Sequence, residues 1–149
     1  MTGNGTRRSA ALLTLAVVLG GCVTPATGNP SYRGKARMSV ESAISETQTT
    51  RLTLQTLQRN RIFTTSADET VTAAESALGS ISAAFDSVQP PPESDPVHDR
   101  ISKLLSDAED AVTASRIATR RNDQAGIRHA LTDLFSVIRQ LQRAKKQLS

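Results

Sequence analysis

Apolar residues recur along this chain at alternating steps of four and three, the spacing that places them on one stripe of an α-helix. The clearest run is Ala67, Val71, Ala74, Leu78, Ile81, Phe85 and Val88, three heptads of an a/d seam. A second follows at Val97, Ile101, Leu104, Ala108, Ala111, Ser115 and Ala118, widened by Leu105 and Val112. A third runs Ile127, Leu131, Leu134, Ile138, Leu141 and Leu148, flanked by Ala130, Phe135 and Val137. Upstream lies a weaker stripe, Ala36, Val40, Ala43, Thr47, Thr50, Leu54, Leu57 and Arg61, with Ile44 and Leu52 beside it. Two threonines and an arginine stand there where apolar residues belong. This first helix is therefore expected to be the least firmly packed.

The punctuation between stripes agrees with four helices, over about 36–61, 66–89, 95–121 and 123–148. Ser66 with Glu69 three residues on reads as a capping box, and Asp68 favours the positive end of the helix dipole. Gln89-Pro90-Pro91-Pro92 ends the second helix. Asp95-Pro96 offers an N-cap followed by proline at the first helical position. Asn122-Asp123 makes a tight turn before the fourth. Short turns favour antiparallel neighbours, so the fold class expected is all-α: an up-down-up-down four-helix bundle over residues 35–149. The turn RRNDQAGIRHAL resembles that of a tetratricopeptide hairpin, but a single unit without the signature aromatics does not build a solenoid.

Ahead of the bundle the pattern changes twice. Residues 1–21 open with a polar stretch carrying Arg7 and Arg8, continue in the apolar run AALLTLAVVL, and close on Gly20 and Gly21 before Cys22. An apolar run of roughly a dozen residues is short for a membrane span and suits an export signal. Residues 22–34 then read CVTPATGNPSYRG, rich in proline and glycine, as a flexible tether.

The ending Leu19-Gly20-Gly21-Cys22 resembles the lipobox of bacterial lipoproteins. The resemblance covers the leader alone. It implies that the Cys22 thiol receives a diacylglycerol, that the signal is cleaved before it, and that the protein is held at the extracytoplasmic face of the cell membrane. Cys22 is the only cysteine, so no disulfide within the chain competes for its sulfur. Thr6-Arg7-Arg8-Ser9 also resembles a twin-arginine signal, with alanines where strongly apolar residues should follow, and the export route stays open.

Composition narrows the function classes. Aromatics are 3% of the chain and tryptophan is absent, so the core is aliphatic and single-stranded nucleic acid lacks a stacking platform. The net charge of +4 includes Arg7 and Arg8 of the leader; without them it halves, which is an ordinary solvated surface. Charge is unevenly spread, with six acids and no bases over residues 62–96 and eight bases against two acids over 116–149. Most of these charges are read as independently solvated, and those at helix ends as dipole complement. The basic tail Arg139, Arg143, Lys145 and Lys146 fits that description, or contact with anionic headgroups or cell-wall polymers.

Nothing here has the spacing of a catalytic or metal motif. Neither His98 nor His129 belongs to a HExxH run, and no Glu-x-x-His supplies a dimetal bundle. Asp68-Glu69 and Glu109-Asp110 read as helix-start and solvated-face chemistry. A haem held by one Met and one His would need Met38 on the seam, and His129 falls at the opposite end of the bundle. No enzyme, cofactor or metal is expected, and no nucleic-acid partner. Two readings remain: a lipid-anchored interaction or scaffolding module with an envelope protein partner, docking through the loosely packed first helix, or a carrier of a small molecule or lipid within the bundle.

Overall fold

The computed structural model describes residues 28–149, and Cys22 with its leader lies outside them. Four helices account for nearly all of this span: α1 (Asn29–Gln58), α2 (Thr64–Asp86), α3 (Asp95–Arg120) and α4 (Gln124–Leu148), with a single 3-10 turn at Pro92–Ser94 before α3. The fold is an all-α four-helix bundle. The start of α1, the end of α2, the start of α3 and the end of α4 meet at one end. There Tyr32 packs against Phe85 and His98, and Arg33 and Arg100 both donate to Gln147. Neighbours are therefore antiparallel, in up-down-up-down order.

Each helix packs on the next around the ring, and α1 also approaches α3 closely across the middle, whereas the backbones of α2 and α4 stay further apart. The cross-section is a rhombus with α1 and α3 on its short diagonal. Both helices line their buried stripe with small residues, Ala36, Ala43 and Thr47 on one and Ala108, Ala111 and Ser115 on the other, and axis separation follows side-chain size.

The boundaries differ from the expected ones where local chemistry decides. Residues 29–34, expected as tether, are the first turns of α1. Pro30 stands in the first turn, where its missing N–H costs nothing, and Gly28 takes the positive φ of 105° just ahead of it. The stripe of α1 thereby extends one step of four back from Ala36 to Tyr32, which is fully buried. At its other end α1 stops at Gln58, because Asn60 adopts φ 54° and its N–H returns to the Leu57 carbonyl.

Helix α2 begins two residues early, so Ser66 lies inside it and the expected capping box with Glu69 does not form. Phe63 holds the N-cap position in extended backbone, with no side-chain cap, and its carbonyl already accepts from Ala67. In α3 the N-cap is Ser94 rather than Asp95. Its hydroxyl donates across to Asn29 Oδ1 at 3.1 Å, tying two helix starts together. Asp123 caps α4 as its residue type suggests, one carboxylate oxygen accepting from the Ala125 and Gly126 amides at 3.0 Å each.

The expectation that α1 is loosely packed is overturned. Thr47 and Thr50 are both at 0% exposure. Their hydroxyls donate to the carbonyls of Ala43 and Glu46, one turn back, at 2.6 and 3.0 Å. A hydroxyl satisfied inside its own helix carries no desolvation penalty, so threonine packs here as a small β-branched residue. Ser115 and Thr119 use the same device on α3. Arg61, at the last stripe position, lies beyond the helix and is exposed. No helix among the described residues is long and apolar enough to cross a membrane.

Candidate functional site

Two ends and one long seam carry the side chains that could do chemistry or binding. At the end where α1 starts, the Tyr32 hydroxyl lies 2.8 Å from His98 Nδ1, and Phe85 stacks on the imidazole at 5.0 Å between centroids. With the imidazole proton on Nε2, the phenol is the donor. Burial, and then the charges of Asp86, Asp95 and Asp99, push the Tyr32 phenol up to about 12. The phenol is neutral at any ordinary pH. His98 is thus a structural partner of a core tyrosine.

The other residues weighed for chemistry do not converge. Met38 is 68% exposed on the outside of α1, away from the core that holds His98. His129 is exposed on α4, 3.4 Å from Asp133 one turn along. Among the described residues, no three of His, Cys, Asp or Glu gather closely enough to hold a metal ion. Glu109 and Asp110 lie on the outer side of α3.

Between α2 and α3 the charges that looked independent are paired. Arg116 Nε donates to Glu75 at 2.5 Å, Thr113 donates to the other carboxylate oxygen at 2.7 Å, and Arg120 reaches Asp68 at 2.8 Å. The arginines at the end of α3 therefore do more than complement its dipole. Burial disfavours the charged form of Glu75, but the hydrogen bonds from Arg116 and Thr113 outweigh it and hold the carboxyl below its usual range. A depressed carboxyl stabilises the fold above its unfolded value, and that contribution is lost as pH falls through the lower folded value. Glu75→Gln should accordingly reduce stability at neutral pH by about 1 kcal/mol and shrink the acid-induced loss below about pH 4, measured by urea unfolding at neutral and acid pH.

At the far end, Phe63 is 82% exposed in the turn between α1 and α2. Arg59 and Arg61 precede it in the same turn, both exposed and without a carboxylate partner among the described residues. No pattern in the sequence singled it out.

An open hollow of about 440 Å³ at the end of α4 is lined by Arg139, Gln142, Arg143, Lys145, Lys146 and Ser149. Hollows of about 260 and 280 Å³ run along the α3–α4 groove. The inner stripe is filled instead by side chains at or near zero exposure, from Tyr32 and Leu54 to Leu105 and Leu134.

No protein-family model, curated protein or solved structure matches the chain, so its reading rests on its own residues.

Proposed function

We propose that this chain is a lipid-anchored protein of the bacterial cell envelope whose helical bundle acts by binding a protein partner and not by catalysis. The anchor is the lipid on Cys22, which the lipobox-like Leu19-Gly20-Gly21-Cys22 supplies. The observation that carries the binding reading is Phe63. A phenylalanine left 82% exposed two residues after Arg61 and four after Arg59, both exposed, has the composition of an interface anchor, since aromatic and arginine side chains concentrate binding energy. Its place strengthens the reading. Helix α1 runs 30 residues, about 45 Å, from the anchored end to this turn, so Phe63 is held well out from the membrane.

This replaces docking through a loose first helix, because the α1 stripe is closed. Carriage of a small molecule or lipid inside the bundle has less support, since the hollows open outward and alanines draw the helices together.

A photo-crosslinking residue placed at position 63 in the native envelope should give a discrete protein adduct. The same residue at Phe135, a second exposed aromatic on α4, should not. Indistinguishable labelling from the two positions would sink the binding assignment.

A further inference from the structure

We propose that the side of the bundle formed by the last turns of α4 and the adjoining parts of α1 and α3 docks on anionic phospholipid headgroups. Its geometry rests on the lipid anchor at Cys22 argued above. Arg139, Arg143 and Lys146 line the hollow of about 440 Å³ on α4. Arg143 also lines the neighbouring hollow of about 260 Å³, together with Arg100 and Lys103 of α3 and with Asp107, which pairs with Lys103 at 3.0 Å. On the other flank, Arg33 of α1 donates to the Gln147 carbonyl, and Arg37 and Lys145 share the carboxylate of Glu41. One basic surface thus spans three helices.

Two features separate it from helix-end bookkeeping. First, the dipole favours cations only in the last turn, which holds Lys145 and Lys146; Arg139 and Arg143 lie earlier. Second, no carboxylate among the described residues lies within ion-pair distance of Arg139, Arg143 or Lys146. Residues 1–27 contain no Asp or Glu that could supply one. The acids of this end, Asp86, Asp95 and Asp99, gather instead around Tyr32 on α2 and α3. The end is polarised, and on its positive side Arg139, Arg143 and Lys146 have no carboxylate partner among the described residues.

What faces it follows from the chain. Gly28 opens α1 at this same end, and five residues separate it from Cys22. Fully extended they reach about 20 Å, so the anchored bundle keeps this surface within a few Debye lengths of the lipid. Arg139 and Arg143 stand one turn apart, and guanidinium groups bind phosphate oxygens in pairs. Tethering makes the contact intramolecular, so weak intrinsic affinity is enough to hold one orientation. That orientation sets the last turns of α4 against the headgroups, with the turn that carries Phe63 at the far end of the bundle.

The test uses residues 23–149, which lack the leader and the thiol but retain all four helices and the whole core cluster. This chain should co-sediment with vesicles containing phosphatidylglycerol and not with pure phosphatidylcholine. Each cation near an anionic surface contributes about fivefold, so Arg139→Gln/Arg143→Gln/Lys146→Gln should weaken binding roughly 100-fold. Its helical spectrum should be unchanged. Arg59→Gln/Arg61→Gln, at the far end, should bind as the parent does. Equal binding to both vesicle types, equal weakening by the two sets of substitutions, or displacement by inorganic phosphate at matched phosphate concentration would each overturn the proposal. Because this chain carries no lipid, such a result leaves the anchor at Cys22 standing, and failure of the anchor would leave vesicle binding intact.

Discussion

Replacing Tyr32 with alanine should cost about 3–5 kcal/mol of folding stability, the range for emptying a large aromatic site in a core. Against the 5–15 kcal/mol typical of a domain, that brings the bundle close to unfolding at growth temperature. The reason is position. Tyr32 is fully buried where all four helices converge, its ring packed against both Phe85 and His98 and its hydroxyl on the imidazole. Tyr32→Phe keeps the ring and should cost only about 1 kcal/mol, the net worth of one hydrogen bond. The two variants also separate at high pH. A phenol raised from 10 to about 12 on folding stabilises the neutral form, so its contribution is complete below about pH 10 and disappears as pH climbs toward 12. Tyr32→Phe should lack that part of the alkaline loss. Tyr32 is the only tyrosine, so the tyrosinate absorbance of the parent reports this one group. A Tyr32→Ala protein as stable to urea as the parent would mean that α1 does not start at Asn29.

Tyr32 and Phe63 together explain what the sequence could and could not convey. Each lies one step of four ahead of a buried alanine, Tyr32 before Ala36 and Phe63 before Ala67, so periodicity treats them alike. Their fates are opposite because the helices start in different places. Pro30 sits in the first turn of α1 and starts that helix far enough upstream to carry Tyr32 inward. Asn60, with positive φ, turns the chain before α2, and Phe63 is left in extended backbone pointing out. A tract of Asn, Pro, Ser and Gly reads as a tether by composition, yet proline at a helix start is permissive, and one core aromatic is enough to fix the turn.

Helix number, order and stripe were legible because a/d spacing over several heptads allows only one periodic structure. The inter-helix contacts were not. Whether Glu75 meets Arg116 depends on the axial register of α2 against α3, which local pattern does not encode. The same holds for the basic surface: Arg139 and Arg143 are plain in the sequence, but Arg100, Lys103 and Arg37 join them only through packing. The closed α1 stripe has a different cause. Threonine counts as polar in any periodicity reading, while a hydroxyl bonded to the carbonyl one turn back is chemically spent.

Cys22→Ser should abolish salt-resistant attachment outright, an effect larger than any graded change in affinity. Serine leaves the backbone and side-chain shape nearly intact but removes the thiolate, the nucleophile to which the proposed diacylglycerol would be joined. Each buried CH₂ of an acyl chain contributes about 0.8 kcal/mol, so two chains hold a protein durably where one holds it reversibly. The leader cannot substitute. Its apolar run AALLTLAVVL would extend about 15 Å as a helix, half of a hydrocarbon core of about 30 Å. The basic surface cannot substitute either, because contacts between exposed charges fade as salt shortens the Debye length. In cells, then, the variant should incorporate no labelled fatty acid, and no processed chain should remain on membranes washed in high salt. It should appear as unprocessed precursor or in the soluble fraction. At low salt a fraction should stay bound to anionic membranes and leave on addition of Arg139→Gln/Arg143→Gln/Lys146→Gln, which separates the two attachments within one protein. Normal processing of the serine variant, with salt-resistant membrane retention, would refute the lipid anchor and remove the reason for placing the last turns of α4 against the headgroups.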